Sequence, residues 1–193
     1  MGTRDYLANR TPVPTGTVNQ LFFDSVDRFG AKAAFRTIVS DGFEEISYQE
    51  MLPKVRSIAG GFTSLGLGRG DRVAVLSENR PEWSQVDYGA LCAGISLVPV
   101  HTTLTPTQIG YILRDSGAKA IFASTPEEME KTLEALRSLP NAPTVVVFDS
   151  LTDKPEGVLG WDEFLEEGRR EAGGTSDEEF RAEALSVSPE DTA

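Results

Sequence analysis

The stretch Gly70–Thr105, GDRVAVLSENRPEWSQVDYGALCAGISLVPVHTTLT, constrains the fold more than any other part of the chain, because strand, loop, helix and strand signals follow one another without interruption. Arg72 to Leu76 is a short apolar run rich in β-branched residues, Pro81 to Ala93 has helical length, and Ile95 to Val100 is a second buried strand closed by Pro99. Two strands joined through a helix lie parallel, so this is a βαβ unit. The loop Ser77-Glu78-Asn79-Arg80 leaves the carboxyl end of the first strand, the edge at which open α/β sheets place ligand crevices.

The alternation continues along the chain. Strand 72–77, helix 81–93, strand 95–100, helix 106–115, strand 118–123, helix 126–138 and strand 143–149 follow with short turns, which predicts an α/β fold: a doubly wound, mostly parallel sheet with helices on both faces. Ahead of it, Ala34 to Val39 and Phe43 to Ser47 flank Asp41-Gly42, a pair suited to a type I′ turn, so the sheet is preceded by a helix and a β-hairpin. Helix starts are marked by Ser or Thr followed three residues later by Glu or Gln, at Thr17/Gln20, Ser47/Glu50, Thr105/Gln108, Thr125/Glu128 and Ser176/Glu179. Pro106 and Pro126 fall at the first helical position, where a missing N–H costs nothing.

After Ser47, apolar residues from Tyr48 and Met51 to Phe62 and Leu65 recur at helical spacing. Gly60 and Gly61 within that helix each lower propensity by ~1 kcal/mol relative to Ala, which is tolerable where another backbone packs close. Residues 161–170 read as a further helix, 171–175 as a flexible break and 176–185 as a surface helix. The expected organisation is a lead at 1–16, an α/β subdomain at 17–160 and an acidic helical or flexible segment at 161–193.

Net charge is −12, and from Trp161 onward eleven acids face three arginines, so −8 of it belongs to that last segment. No basic patch offsets the acidity, which argues against a nucleic-acid partner and against an anionic membrane surface. The single cysteine, Cys92, excludes a disulfide within the chain and fits a reducing, cytoplasmic location. No run of 18 apolar residues exists to span a membrane. The opening MGTRDYLANR lacks an apolar signal, and Tyr6 stands where a myristoylation motif needs Ser or Thr.

Gly66, Gly68 and Gly70 form GLGRG, but these glycines leave a helix and enter a strand, the reverse of a phosphate-cradling loop; a helix C-cap followed by a turn is expected. Asn79 is placed to cap the helix at Pro81. Glu78 and Arg80 lie at the crevice edge and are candidates to contact substrate or coenzyme. His101, the one histidine, and Thr102 follow the second strand at the same edge, where a loop role is the alternative; no cysteine pair or acidic cluster surrounds His101, so no metal site is assigned. Thr105 is read as an N-cap and Trp83 as a packing anchor. Glu44-Glu45 point to opposite faces of a strand, and Glu127-Glu128 sit at a helix start where the macrodipole favours acids. No catalytic set and no cofactor-binding residue emerges.

Three ordered blocks carry a resemblance: ISYQEM at Ile46–Met51, GDRVAVLSENRPEW at Gly70–Trp83 and LCAGISLVPV at Leu91–Val100 resemble the opening blocks of the adenylate-forming enzymes, the group of AMP-forming acyl-CoA synthetases, peptide-synthetase adenylation domains and luciferases. The ENRPEW form and TLTPTQIGYILRDSGAKAIFAS at Thr103–Ser124 are most similar to long-chain fatty acid CoA ligases. The resemblance runs from about Thr17 to the last residue. It implies an enzyme that condenses a fatty acid with ATP, with magnesium, to an acyl-adenylate and pyrophosphate, then passes the acyl group to coenzyme A.

In that family a Ser/Thr/Gly-rich phosphate loop follows a stretch like Ser186–Ala193. The resemblance therefore implies the N-terminal portion of a larger synthetase. It is expected to be inactive alone, partnered by the rest of its chain, with ATP, Mg and CoA bound by the whole enzyme. Glu78, Arg80, His101 and Thr102 would line a substrate or CoA passage, and apolar surface left bare would favour a homodimer. Two other readings stand beside it: a free-standing flavodoxin-like or Rossmann-like binding module, which needs a phosphate site at a strand-to-helix turn, and a non-catalytic interaction domain.

Overall fold

A computed structural model describes residues 16–191; the expected lead, apart from Gly16, and Thr192 and Ala193 lie outside the described residues. The elements run α1 (Val18–Phe29), β1 (Ala33–Val39), β2 (Gly42–Ser47), α2 (Tyr48–Ser64), β3 (Arg72–Leu76), α3 (Pro81–Cys92), β4 (Ser96–Val100), α4 (Pro106–Ser116), β5 (Ala120–Ala123), α5 (Pro126–Leu136), β6 (Thr144–Val147), β7 (Val158–Gly160), α6 (Trp161–Ala172) and α7 (Asp177–Leu185). Strands β3 to β7 form one sheet in the order β4-β3-β5-β6-β7, and every pairing in it is parallel. This is the doubly wound α/β architecture expected, with the hairpin β1-β2 as a separate antiparallel pair.

Alternation along the strands sorts side chains to two faces. Val73, Val75, Ala120, Phe122 and Val146 pack beneath α2, α3 and α6, where Phe62, Phe164, Leu165 and Trp161 fill the layer. Ala74, Leu76, Ile121, Ala123, Val145 and Val147 turn the other way, against Ile109 and Leu113 of α4 and Met129 and Ala135 of α5. With both faces covered, the strands read as near-continuous apolar runs, as parallel strands do. A third cluster joins Phe22 and Phe23 of α1 to Met51 and Val55 of α2, Cys92 of α3 and Phe180 of α7.

The glycines of α2 have the expected reason. A Cβ on Gly61 would stand 2.5 Å from the Phe164 ring, and one on Gly168 would stand 2.7 Å from the Gly61 nitrogen, so α2 and α6 cross backbone to backbone. The GLGRG segment ends α2 as a Schellman motif: Gly66 has φ 72, its N–H bonds the Thr63 carbonyl at 2.9 Å, and the Leu67 N–H reaches the Phe62 carbonyl at 2.9 Å. Full capping boxes form at Ser47, Thr105 and Ser176. At Thr17 and Thr125 only the hydroxyl half forms, because Gln20 turns to Asp24 and Glu128 to Lys131.

Three readings are corrected. Val39 pairs with Gly42, so the hairpin tip is Ser40-Asp41, and neither has the positive φ a type I′ turn requires. Strand β7 was not anticipated, since three residues bounded by glycine carry too little periodicity. The N-cap of α3 is Arg80, with no side-chain hydrogen bond, so Asn79 does not cap it; Pro81 at the first helical position has no N–H to satisfy.

Helices α6 and α7 are held to the body by charge as well as apolar packing. Arg56 of α2 binds the Ala172 and Thr175 carbonyls and Asp177, bracketing the turn between the two helices. Arg181 of α7 pairs with Asp27 of α1, and Arg69 with Asp191.

Candidate functional site

In the order β4-β3-β5-β6-β7 the chain winds outward from β3 in both directions, so the topological switch point falls between β3 and β5. Residues that follow these strands meet there. The Ser124 hydroxyl, just past β5 and fully buried, donates to Glu78 at 2.7 Å. Arg80 spans the crevice: Nη1 donates to the Ser124 carbonyl at 3.2 Å and to Asp149, beyond β6, at 3.0 Å, while Nε donates to Glu82 at 2.8 Å. Glu78 stands 3.9 Å from Arg80, and the guanidinium lies 5.4 Å from the centre of the Phe148 ring. One cation thus gathers three carboxylates and ties the ends of β3, β5 and β6.

Partial burial works to raise the Glu78 pKa, but the Ser124 hydrogen bond and Arg80 outweigh it and hold the carboxyl below its usual range. For Arg80, burial opposes the charge and is outweighed by Glu82 and Asp149, so its pKa is raised. The network opens on a cleft of about 440 Å³ lined by Thr37, Glu44, Ile46, Lys54, Gln85 and Trp161 together with residues 78–82. The inner face of the hairpin forms one wall and the switch-point loop the other.

His101 and Thr102 sit at the end of β4, next to β3, but lean elsewhere. His101 is exposed, and its carbonyl accepts from Leu104 at 3.1 Å. The Thr102 carbonyl accepts from Lys131 of α5 at 3.2 Å, and Lys131 is itself held by Glu128 at 3.0 Å and Glu127 at 3.5 Å. The structure brings Glu78 and Arg80 into one network and ties Thr102 to α5 on the opposite face of the sheet. Ser124, Asp149 and Glu82 were missed from sequence. The signal for two of them was available: each follows a strand at the carboxyl edge, as Ser77 and His101 do.

The helices that follow the strands of the sheet offer few free N–H groups at this edge. Helices α3, α4 and α5 all begin with proline, which removes an N–H, and the Thr105 and Thr125 hydroxyls take another in α4 and α5. No group of three or more His, Cys, Asp or Glu side chains among the described residues could hold a metal ion, and no helix among them is long and apolar enough to cross a membrane.

The family described as AMP-binding enzyme matches residues 22–193. Long-chain-fatty-acid–CoA ligase ACSBG1 of Rattus norvegicus is 33% identical over 154 residues, covering 79% of this chain and 21% of the ligase. The chain therefore spans about a fifth of the length of that curated relative. Among solved structures, the benzoate CoA ligase from Burkholderia xenovorans LB400 superposes with a TM-score of 0.63 at 24% identity, over 77% of this chain and 28% of the ligase. The anthranilate CoA ligase AuaEII in complex with anthranoyl-AMP superposes at 0.70 and 21% identity, over 80% and 29%. These two likenesses are of fold.

Proposed function

This chain belongs to the AMP-binding enzyme family, and on that premise we propose that it is the amino-terminal part of an AMP-forming acyl-CoA ligase acting on long-chain fatty acids. The reaction joins the fatty acid carboxylate to the α-phosphorus of ATP with loss of pyrophosphate. The thiol of coenzyme A then attacks the acyl carbon, and AMP leaves. The observation that carries the substrate class is the 33% identity with the rat long-chain ligase over most of the chain.

In this reading residues 17–160 are the α/β subdomain, and 161–193 lead onward. The described residues build a wall of the site. Arg80 and its carboxylates hold the ends of β3, β5 and β6 in register, and the cleft beside them, with Glu78 and Arg80 at its rim, lies along the passage for substrate or CoA. His101 and Thr102 do not line this cleft and would border the passage only further along the sheet edge, at the end of β4. ATP and magnesium supply the activated phosphoryl centre and its charge neutralisation when bound, and the residues described here do not provide their grip. The lone buried Cys92 suits a cytoplasmic enzyme.

The test is fatty-acid-dependent ATP–pyrophosphate exchange, measured on the 193-residue chain and on a chimera in which it replaces the equivalent region of the rat ligase. The chimera should retain exchange and the chain alone should show none. A folded chimera without exchange, or exchange by the chain alone, overturns the reading.

A further inference from the structure

We propose that the outward face of the β1-β2 hairpin is a self-complementary docking surface for a second copy of this chain. The two faces of the hairpin differ. Phe35 and Ile46 turn inward to the α1–α2 cluster, and Thr37 and Glu44 face the cleft. Outward stand two cross-strand rows, Arg36 opposite Glu45 and Ile38 opposite Phe43. Ile38 is 80% exposed and Phe43 61%, the two most exposed large apolar residues among those described. Arg36 Nε donates to Glu45 at 2.7 Å, and the guanidinium lies 5.4 Å from the centre of the Phe43 ring, so the charged row and the apolar row are held in fixed relation.

The charge pattern identifies the occupant. A two-fold axis in the interface plane, parallel to the strands and midway between them, lays β1 of one copy over β2 of the other. Arg36 then sits over Glu45 twice, and Ile38 over Phe43 twice. Both rows are satisfied by one operation, as an isologous contact requires, and opposite charges meet where like charges would repel. The patch is far smaller than a standard interface, so the dimer is weak and forms with a dissociation constant above about 1 µM.

Sedimentation of the whole chain across a concentration series tests this. Wild type should pass from monomer to dimer as concentration rises toward about 1 mM. Arg36→Glu makes the face wholly acidic and Glu45→Arg wholly basic, so each variant alone should stay monomeric where wild type is half dimeric. An equimolar mixture should dimerise at least as well as wild type, which no intrachain effect of either substitution can produce. In NMR dilution of wild type, amide shifts should move at Arg36, Ile38, Phe43 and Glu45. A wild type that stays monomeric, single variants that dimerise normally, folded variants that fail to combine, or shifts confined to another face would each overturn the proposal.

Discussion

Replacing Gly168 by alanine should destabilise the chain severely. The added Cβ would stand 2.7 Å from the Gly61 nitrogen and 2.9 Å from the Ser57 carbonyl carbon, with the Ser57 oxygen closer still. Non-bonded carbons settle at about 3.5 to 4.0 Å, so α2 and α6 must part by about 1 Å. Every atom in the clash is backbone, and no rotamer can yield. Parting the helices also loosens Phe62, Phe164 and Leu165, all fully buried, and the ring contacts of Phe164 with Phe62 at 5.9 Å and Phe122 at 5.2 Å. Overpacking alone costs about 1–3 kcal/mol, and the loosened core adds a comparable amount. Alanine's better helix propensity returns about 1 kcal/mol. The net is a loss of about 1–5 kcal/mol, centred on about 3, a large share of the roughly 5–15 kcal/mol that holds a domain. Urea unfolding followed by far-UV dichroism and tryptophan fluorescence should show the midpoint falling by about 1.5 M at unchanged slope, taking a slope of about 2 kcal/mol/M. Gly68→Ala is the control: nothing lies within 4 Å of its Cβ and its φ is not positive, so it should stay within about 0.5 kcal/mol of wild type. A Gly168→Ala chain as stable as the control would refute the backbone-crossing argument.

Arg80→Met leaves Glu78, Glu82 and Asp149 without their cation and should cost about 1–3 kcal/mol near neutral pH, between exposed and buried pairs; the share carried by Glu78, whose carboxyl is held below the ordinary 4.5, is present above that pH and should fade as pH falls beneath it, and a gap independent of pH refutes the assignment. Burial pushes the Cys92 thiol up to about 12, so it should resist thiol reagents at about pH 8 until the chain is unfolded, and prompt native labelling refutes its burial. Its folded pKa is raised, so its contribution to stability is present below the unfolded value of 9.0 and fades as pH climbs toward 12. Arg181 holds Asp27, and Arg69 holds Asp191, below the ordinary 3.8, so these pairs support α7 above that pH and lose hold as pH falls through it. The protection of α7 amides against hydrogen exchange, relative to the intrinsic rate at each pH, should fall at about pH 3, or in about 1 M salt, before protection in β3 and β5; simultaneous loss refutes the charge-held docking.

The alternating architecture was legible because each crossover helix announces itself. Pro81, Pro106 and Pro126 mark helix starts, Thr105 and Thr125 cap two of them, and the strands between are apolar runs too short for helices. What escaped was of two kinds. Strand β7 and the hairpin tip depend on hydrogen-bond register, which three or four residues cannot encode by pattern alone. The α2–α6 crossing is a property of a pair: Gly60 and Gly61 signalled that some backbone comes close, but Gly168 lies in a helix more than a hundred residues away, with nothing local to mark it as the partner. The same holds for Arg56, whose partners are carbonyls at a turn read from sequence only as a flexible break.

At the site, the strand-end rule located Glu78 and Arg80 correctly at the sheet edge but left their partners unnamed, and the partners decide what that edge can do. Arg80 carries one positive charge against Glu78, Glu82 and Asp149, and two of those carboxylates accept its N–H groups directly. An incoming phosphate or carboxylate would have to displace an acid from Arg80 and then face the others, a like-charge penalty inside a partly buried crevice. At this switch point Arg80 is already paired with the chain's own acids, and α3, α4 and α5 each open on a proline, which removes one N–H from the helix start. Among the described residues the switch point is a clamp that fixes three strand ends, set beside a cleft that Thr37, Glu44, Lys54, Gln85 and Trp161 also line.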